Sequence, residues 1–191
     1  MPDSRMVHAV TASLLLGTSG WAIKELQHKF TMGLAWYILV SIHSVCLLFL
    51  FVTGAHPQLG KARDLSSWLA GALGLPLLAG NFHLRFTSEN CAYGHCLTAA
   101  PPILAWLAGS IANRNRLTEL VVLSSSLSIG ILCFLHGNTF GMAAAVTMLA
   151  LSGVINVNLA EQLSLNRDDM FRVGLAAFNH LILMAVQQYR W

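Results

Sequence analysis

The sequence has few charged residues. Only 10% of its 191 residues are Asp, Glu, Lys or Arg, while 55% are hydrophobic. A soluble domain carries about 25% charged residues, and so few charges cannot cover the surface of a soluble protein of this size. We therefore predict one membrane domain with short loops, in contact with the lipid bilayer. The net charge of +3 is spread over the loops and gives no indication of a nucleic-acid surface.

Several catalytic patterns are missing as well. No carboxylate lies in the middle of an apolar run, so the chain lacks the acid that a metal hydrolase or a proton-coupled pump commonly needs. Its serines form no Gly-x-Ser-x-Gly elbow, and residues 137–141 (GNTFG) lack the lysine of a phosphate-binding loop. These absences favour a protein without a catalytic site, and neither a metal nor another cofactor is expected.

Long apolar runs are what the chain does contain. Each approaches the ~20 residues that a helix needs to cross a bilayer, and helix is the default because lipid cannot satisfy exposed backbone groups. No segment alternates polar and apolar residues, so strands are not expected. The sequence predicts an all-α, polytopic transmembrane bundle in a single domain, residues 1–191, with approximate spans at 6–23, 30–53, 65–82, 97–112, 117–135, 139–159 and 170–186.

Two of these runs have an alternative interpretation. The first follows Arg5 and contains the small residues Thr18 and Gly20, which a cleaved signal peptide would also show. The fourth is short and carries Pro101 and Pro102 near its start, so a re-entrant segment is the alternative to a full span.

Lysine and arginine are distributed unevenly over the predicted loops. If all seven runs cross, seven of these residues lie on the side of the amino terminus and four on the opposite side. Positive residues favour the cytoplasmic side in short loops, so the amino terminus is predicted to be cytosolic. The shortness of several runs favours the thin bilayer of the endoplasmic reticulum or another endomembrane over the plasma membrane.

One polar stretch, residues 88–96 (SENCAYGHC), separates two apolar runs and is predicted to be a loop. In the predicted orientation it faces an oxidising compartment, where a disulfide between Cys91 and Cys96 becomes plausible. Free thiols in an ordinary loop are an equal alternative. A zinc site is less favoured, because zinc takes four ligands and only Cys91, His95 and Cys96 are at hand.

Polar residues inside apolar runs indicate a candidate site, because polar groups in hydrocarbon are costly. His43 and His180 lie near the middle of their runs, and three interpretations stay open for them. They are neutral side chains bonded to neighbouring helices, part of a polar cavity for a small solute or proton, or the two axial ligands of a haem. The residues of this predicted polar cavity are His43, Asn156, Asn158, Asn179 and His180.

A charged stretch, Asn166 to Asp169, comes just before the last run. Its residues are predicted to cap the last helix, where an aspartate is favourably placed near the helix amino terminus. Cation binding by Asp168 and Asp169 is the alternative. Arg172, at the mouth of the run, is expected to extend toward the aqueous side.

Residues 55–67 (AHPQLGKARDLSS) resemble the signature of PQ-loop transporters, a Pro-Gln pair followed by basic residues and serines. That resemblance implies seven helices in two three-helix repeats around a linker, and transport of sugars or amino acids. The chain departs from the family pattern, because it has no second Pro-Gln pair and its one pair follows a full apolar run. We therefore do not assign the family.

Three functions remain as hypotheses. The first is an accessory or assembly protein that packs against other membrane proteins, which agrees with the thin loops and the missing catalytic pattern. The second is a small-solute or ion transporter that uses the polar cavity. The third is an electron-transfer protein with haem between His43 and His180.

Overall fold

The computed structural model describes residues 4–28, 30–54, 56–154 and 166–188. These residues form helices and turns without a β-strand, so the all-α prediction is confirmed. The helices are α1 (Ser4–Leu26), α2 (Leu34–Thr53), α3 (Pro57–Leu69), α4 (Leu75–Phe86), α5 (Glu89–Cys96), α6 (Ala100–Leu107), α7 (Ile111–Leu135), α8 (Thr139–Leu149) and α9 (Arg167–Gln188).

Short irregular turns join some of these helices end to end. A π-helical turn, Ala70–Gly74, makes α3 and α4 one continuous rod, and it comes just before Pro76, whose ring nitrogen cannot donate a helical hydrogen bond. A 3₁₀ turn, Leu97–Ala99, joins α5 to α6, and a π turn, Ala150–Val154, extends α8. The described residues thus form seven rods, each antiparallel to the one before.

Five of the described helical rods are long and apolar enough to cross a membrane. They are Met6–Leu26, Leu34–Thr53, Pro57–Phe86, Ile111–Leu135 and Arg167–Gln188, and they correspond to the first, second, third, fifth and seventh predicted runs. The sixth run appears as a shorter apolar helix, Thr139–Ser152, and its residues 155–159 lie outside the described ranges. The fourth run differs most, because its helical segment begins at Glu89 and ends at Leu107.

The rods pack in a ring that follows the order of the chain. Each rod contacts the next, and α9 closes the ring by packing against α1. The α4 helix also packs across the ring on α7. Many apolar side chains of the rods are exposed, among them Val52, which is 78% exposed, and Leu135, which is 68% exposed. A membrane environment explains this exposure, since lipid is as apolar as the side chains it covers.

The two ends of the ring are packed differently. At the end where α1 finishes, the interior is closed by fully buried Phe30 and Phe82, whose rings meet edge to face at 5.8 Å. The Gly33 backbone N–H donates to Asn81 Oδ1 at 2.8 Å and ties α2 to α4 there. At the other end, where α1 and α9 begin, the interior contains a cavity.

Candidate functional site

The cavity lies inside the ring, between α2, α3, α7, α8 and α9, and has a volume of about 550 Å³. A ligand site commonly has ~300–1,000 Å³. A second hollow of about 660 Å³ adjoins it beside α1 and the ends of α2 and α3. The two share part of their walls, with Leu47, Arg63, Asp168 and Arg172 lining both.

The wall of the cavity changes in character with depth. Its deep part is apolar and is lined by buried Trp36, Val40, Met148 and other aliphatic side chains from α7 and α9. Its mouth is charged, with the six residues Arg63, Asp64, Glu119, Arg167, Asp168 and Arg172. Such a gradient fits a solute that has both an apolar and an ionic part.

Hydrogen bonds between three helices form the floor of the cavity. Trp36 Nε1–H donates to Asn179 Oδ1 at 2.7 Å, and Asn179 Nδ2–H donates to Ser19 Oγ at 2.9 Å. Ser19 Oγ–H in turn donates to the backbone oxygen of Leu15 at 2.8 Å. The Trp36 ring also packs edge to face on Phe178, with ring centroids 5.4 Å apart. This chain of bonds holds α1, α2 and α9 together below the open half of the bundle.

A buried ion pair stands beside the cavity on α9. Asp169 is 2% exposed and Arg172 is 9% exposed, and Arg172 Nη1 donates to Asp169 Oδ1. The same carboxylate oxygen accepts from Thr11 Oγ1 at 2.9 Å and lies 2.7 Å from His8 Nδ1, both on α1. The pair therefore joins the first and last helices at the mouth of the cavity. An isolated buried charge is very costly, so this pairing is what permits Asp169 to be buried as a carboxylate.

The amino terminus of α9 positions this pair. Asn166 accepts a hydrogen bond from the backbone N–H of Asp168 through its Oδ1 at 3.3 Å, which agrees with its predicted capping role. Asp168 and Asp169 lie in the first turn, where a negative charge is favourable to the helix dipole. The three-residue spacing of Asp169 and Arg172 then places both side chains on the same face of the helix.

His43, one of the predicted cavity residues, does line the cavity. It is half-buried, and its Nδ1 lies 3.2 Å from the backbone oxygen of Arg63, close enough for a hydrogen bond. This contact connects α2 with α3 at the level of the charged mouth.

The structure does not bring the other predicted cavity residues to the same place. Asn179 is fully buried but lies in the floor, bonded to Trp36 and Ser19. His180 is exposed on the outside of α9 and stacks on Trp21 at 5.6 Å. Because His180 faces away from the interior in which His43 lies, the arrangement of two axial imidazoles around one haem is absent here. Asn156 and Asn158 lie outside the described residues.

The SENCAYGHC stretch forms a helix, contrary to the predicted loop. Ser88 caps α5 by accepting a hydrogen bond from the Cys91 backbone N–H through Oγ at 3.3 Å. Cys91 and Cys96 are both free, with Cys91 exposed. Five residues along a helix correspond to about 7.5 Å of rise, which exceeds the Cα separation that a disulfide spans. Of the two equal alternatives, the structure contains the free thiols and not the disulfide.

A second polar cluster connects α4, α5 and α7 near the closed end. His83 Nε2 lies 2.7 Å from Ser128 Oγ, and His95 Nε2 lies 3.3 Å from Ser125 Oγ. The two histidine rings are 5.1 Å apart. Among the described residues, no three His, Cys, Asp or Glu side chains form a group that could hold a metal ion. We interpret the cluster as hydrogen bonding between neighbouring helices.

Sequence reasoning missed the contact of Asp169 and Arg172 with α1. The three-residue spacing on α9 is visible in the sequence and could have indicated the pair. The partners His8 and Thr11 could not, because they lie more than 150 residues away in the chain. Nor did the sequence single out Trp36 as the floor of a cavity.

Comparison with known protein families, with curated proteins and with solved structures finds no match for this chain. The Pro-Gln pair of the PQ-loop resemblance, Pro57 and Gln58, begins α3. The class of protein is therefore defined by the fold alone, an all-α bundle with five described helices that are long and apolar enough to cross a membrane.

Proposed function

We propose that this chain is a multi-pass integral membrane protein of an endomembrane, and that its cavity binds a small solute for carriage across or within the membrane. The observation that carries the proposal is the cavity of about 550 Å³ inside the ring, with an apolar depth and a charged mouth. Seven antiparallel rods would place the two ends of the described chain on opposite sides of the bilayer.

The charges at the mouth support a binding role. Ionisable groups inside a membrane bundle are rare and mark solute or ion pathways. Arg172 lines the cavity and is held in place by Asp169 and Thr11. A side chain fixed in this way meets a solute without first losing conformational freedom, which favours binding.

The other two hypotheses receive less support from the geometry. The different surroundings of His43 and His180 remove the specific argument for haem. The accessory or assembly role stays a prediction, because no described contact bears on other membrane proteins. A solute site is therefore the function that the described residues favour most.

The test uses a substitution that fills the cavity. Ser67 lines the cavity from α3 and is exposed there, so Ser67→Trp should occupy the space with little effect on folding. Ala62 is also exposed on α3 but does not line the cavity, so Ala62→Trp is the matched control.

The measurement is a thermal-stability screen of a compound library with the purified protein in nanodiscs. We expect compounds that stabilise the wild type and Ala62→Trp but not Ser67→Trp. If every stabilising compound acts equally on all three proteins, or if none stabilises any of them, the proposed function is wrong.

A further inference from the structure

We propose that the solute is an amphiphile with a zwitterionic head group and an apolar tail. This inference rests on the proposed function and names the chemistry of the same cavity. Its basis is the arrangement of opposite charges on different walls of the mouth, above an apolar depth.

The mouth contains equal numbers of both signs. Three of its six charged residues are cationic, namely Arg63, Arg167 and Arg172, and three are anionic, namely Asp64, Glu119 and Asp168. A solute with a single net charge would meet as many like charges as opposite ones. A zwitterion can place each of its charges beside an opposite one, which is how charge complementarity selects a partner.

Some of these charges already have partners within the protein. Arg63 donates to Asp64 through Nε and Nη2, at 2.9 and 2.7 Å, so these two charges of the mouth neutralise each other. Arg172 uses Nη1 for Asp169 and Thr11. Its Nε and Nη2 donate to no other described residue, and they remain as donors for a bound oxyanion.

The charges left for a solute lie on two separate helices. Glu119 on α7 is exposed and forms no ion pair with a described residue, and the same holds for Arg167 and Asp168 on α9. The α8 helix packs between α7 and α9. A head group that spans the mouth would therefore place its cationic end toward Glu119 and its anionic end toward Arg167 and Arg172. Guanidinium groups suit carboxylate and phosphate oxygens because of their planar, forked donors.

The depth of the cavity argues for a tail. On α2 the lining runs from Trp36 at the floor to His43 at the level of the mouth, which is roughly 10 Å at 1.5 Å per residue. The side chains between the floor and the mouth are mainly apolar, so burying an aliphatic chain against them is favourable relative to water. A free amino acid has the zwitterionic group but would leave most of this depth unfilled.

The experiment compares single-chain probes that share a dodecyl tail and differ in the charge of the head. They are dodecylphosphocholine, dodecyl phosphate and dodecyltrimethylammonium, and glycerophosphocholine provides the head without the tail. Binding is measured by equilibrium dialysis below the micellar concentration, with the protein in phosphatidylglycerol nanodiscs that contain no zwitterionic lipid. The same measurement on Ser67→Trp, whose cavity is filled, gives the amount of probe that partitions into the bilayer, and this amount is subtracted.

We expect dodecylphosphocholine to bind roughly tenfold more tightly than either probe whose head carries only one sign of charge. A tenfold difference is the size of one well-placed charged interaction, a hydrogen bond to the phosphate or an ion pair with the trimethylammonium group. Glu119→Gln should reduce its advantage over dodecyl phosphate, and Arg167→Gln should reduce its advantage over dodecyltrimethylammonium. Arg116→Gln is the control, because Arg116 is exposed on α7 and does not line the cavity.

The other outcomes overturn the inference in distinguishable ways. Equal binding of the three dodecyl probes, lost in Ser67→Trp, refutes the zwitterionic head but leaves a solute cavity in place. Equal binding of glycerophosphocholine and dodecylphosphocholine refutes the tail. If no probe binds in a way that depends on Ser67, the inference is wrong, and the library screen then decides independently whether the cavity binds any solute.

Discussion

Neutralising Asp169 should destabilise the protein strongly. Asp169→Asn keeps the size of the side chain but removes the charge that pairs with Arg172, itself only 9% exposed. Removing one partner of a buried ion pair costs about 3–5 kcal/mol, because the other charge is left buried and uncompensated. For a chain of this length each kcal/mol corresponds to about 2–4 °C, so the midpoint of thermal unfolding should fall by about 6–20 °C.

The assay is thermal unfolding in detergent, followed by the loss of monodisperse protein on size-exclusion chromatography. The control is Asp168→Asn, since Asp168 is the exposed neighbour and its substitution should change stability by less than about 0.5 kcal/mol. The double variant Asp169→Leu/Arg172→Leu removes both charges and should recover most of the loss, because a buried ion pair and an apolar pair of similar volume are often equally stable.

Two results would refute this reasoning. If Asp169→Asn unfolds at the same temperature as Asp168→Asn, the carboxylate does not stabilise the contact between α1 and α9. If the double variant is less stable than Asp169→Asn, the uncompensated charge of Arg172 is not the cause of the destabilisation.

Two further pairs of variants test the packing around the cavity floor by thermal unfolding. Trp36→Phe should lower the free energy of unfolding by about 1–3 kcal/mol, because Asn179 Oδ1 loses its donor. Tyr37→Phe should be neutral or stabilising, because the Tyr37 hydroxyl is buried without a hydrogen-bond partner among the described residues. Equal losses of stability in the two variants would contradict this reasoning. Gly74→Ala should lower the free energy of unfolding by about 1–3 kcal/mol, because a Cβ there would lie 3.0 Å from Trp36 Cα. Gly60→Ala should raise it by about 0.5–1 kcal/mol, because Gly60 lies in α3 and a Cβ there would meet nothing within 4 Å. If Gly74→Ala does not lower the stability, α2 and the π-helical turn Ala70–Gly74 can move apart to admit the methyl group.

The cavity and the buried pair are connected through Arg172. Its guanidinium lies in the wall of the cavity, and its position depends on Asp169 and Thr11 from two helices. A change that loosens α1 from α9 would therefore also displace a donor at the mouth. Glu119 and Arg167 are exposed and take no part in this ion pair, so their substitution changes the mouth without removing the contact between α1 and α9.

The sequence by itself determined the class of the fold. Few charges and long apolar runs favour helices, in which each segment satisfies its own backbone hydrogen bonds in lipid, and the described residues are helical as expected. The distribution of charge along the chain also predicted that Arg63, Arg167 and Arg172 would share one end of the bundle, and the structure places all three around one cavity. The capping role predicted for Asn166 agrees with its hydrogen bond from the Asp168 backbone N–H, whereas the cap that Ser88 provides for α5 lies in a stretch predicted to be a loop.

Only the tertiary structure decided which side chains face the interior. In a membrane helix the lipid-facing and interior-facing sides are both apolar, so periodicity does not distinguish them, and each residue turns the side chain by about 100°. His180 and Asn179 are adjacent in sequence, yet one stacks on Trp21 outside the ring and the other is buried in the cavity floor. The partnership of Asp169 with His8 likewise required the ring to close, because it joins the first described helix to the last.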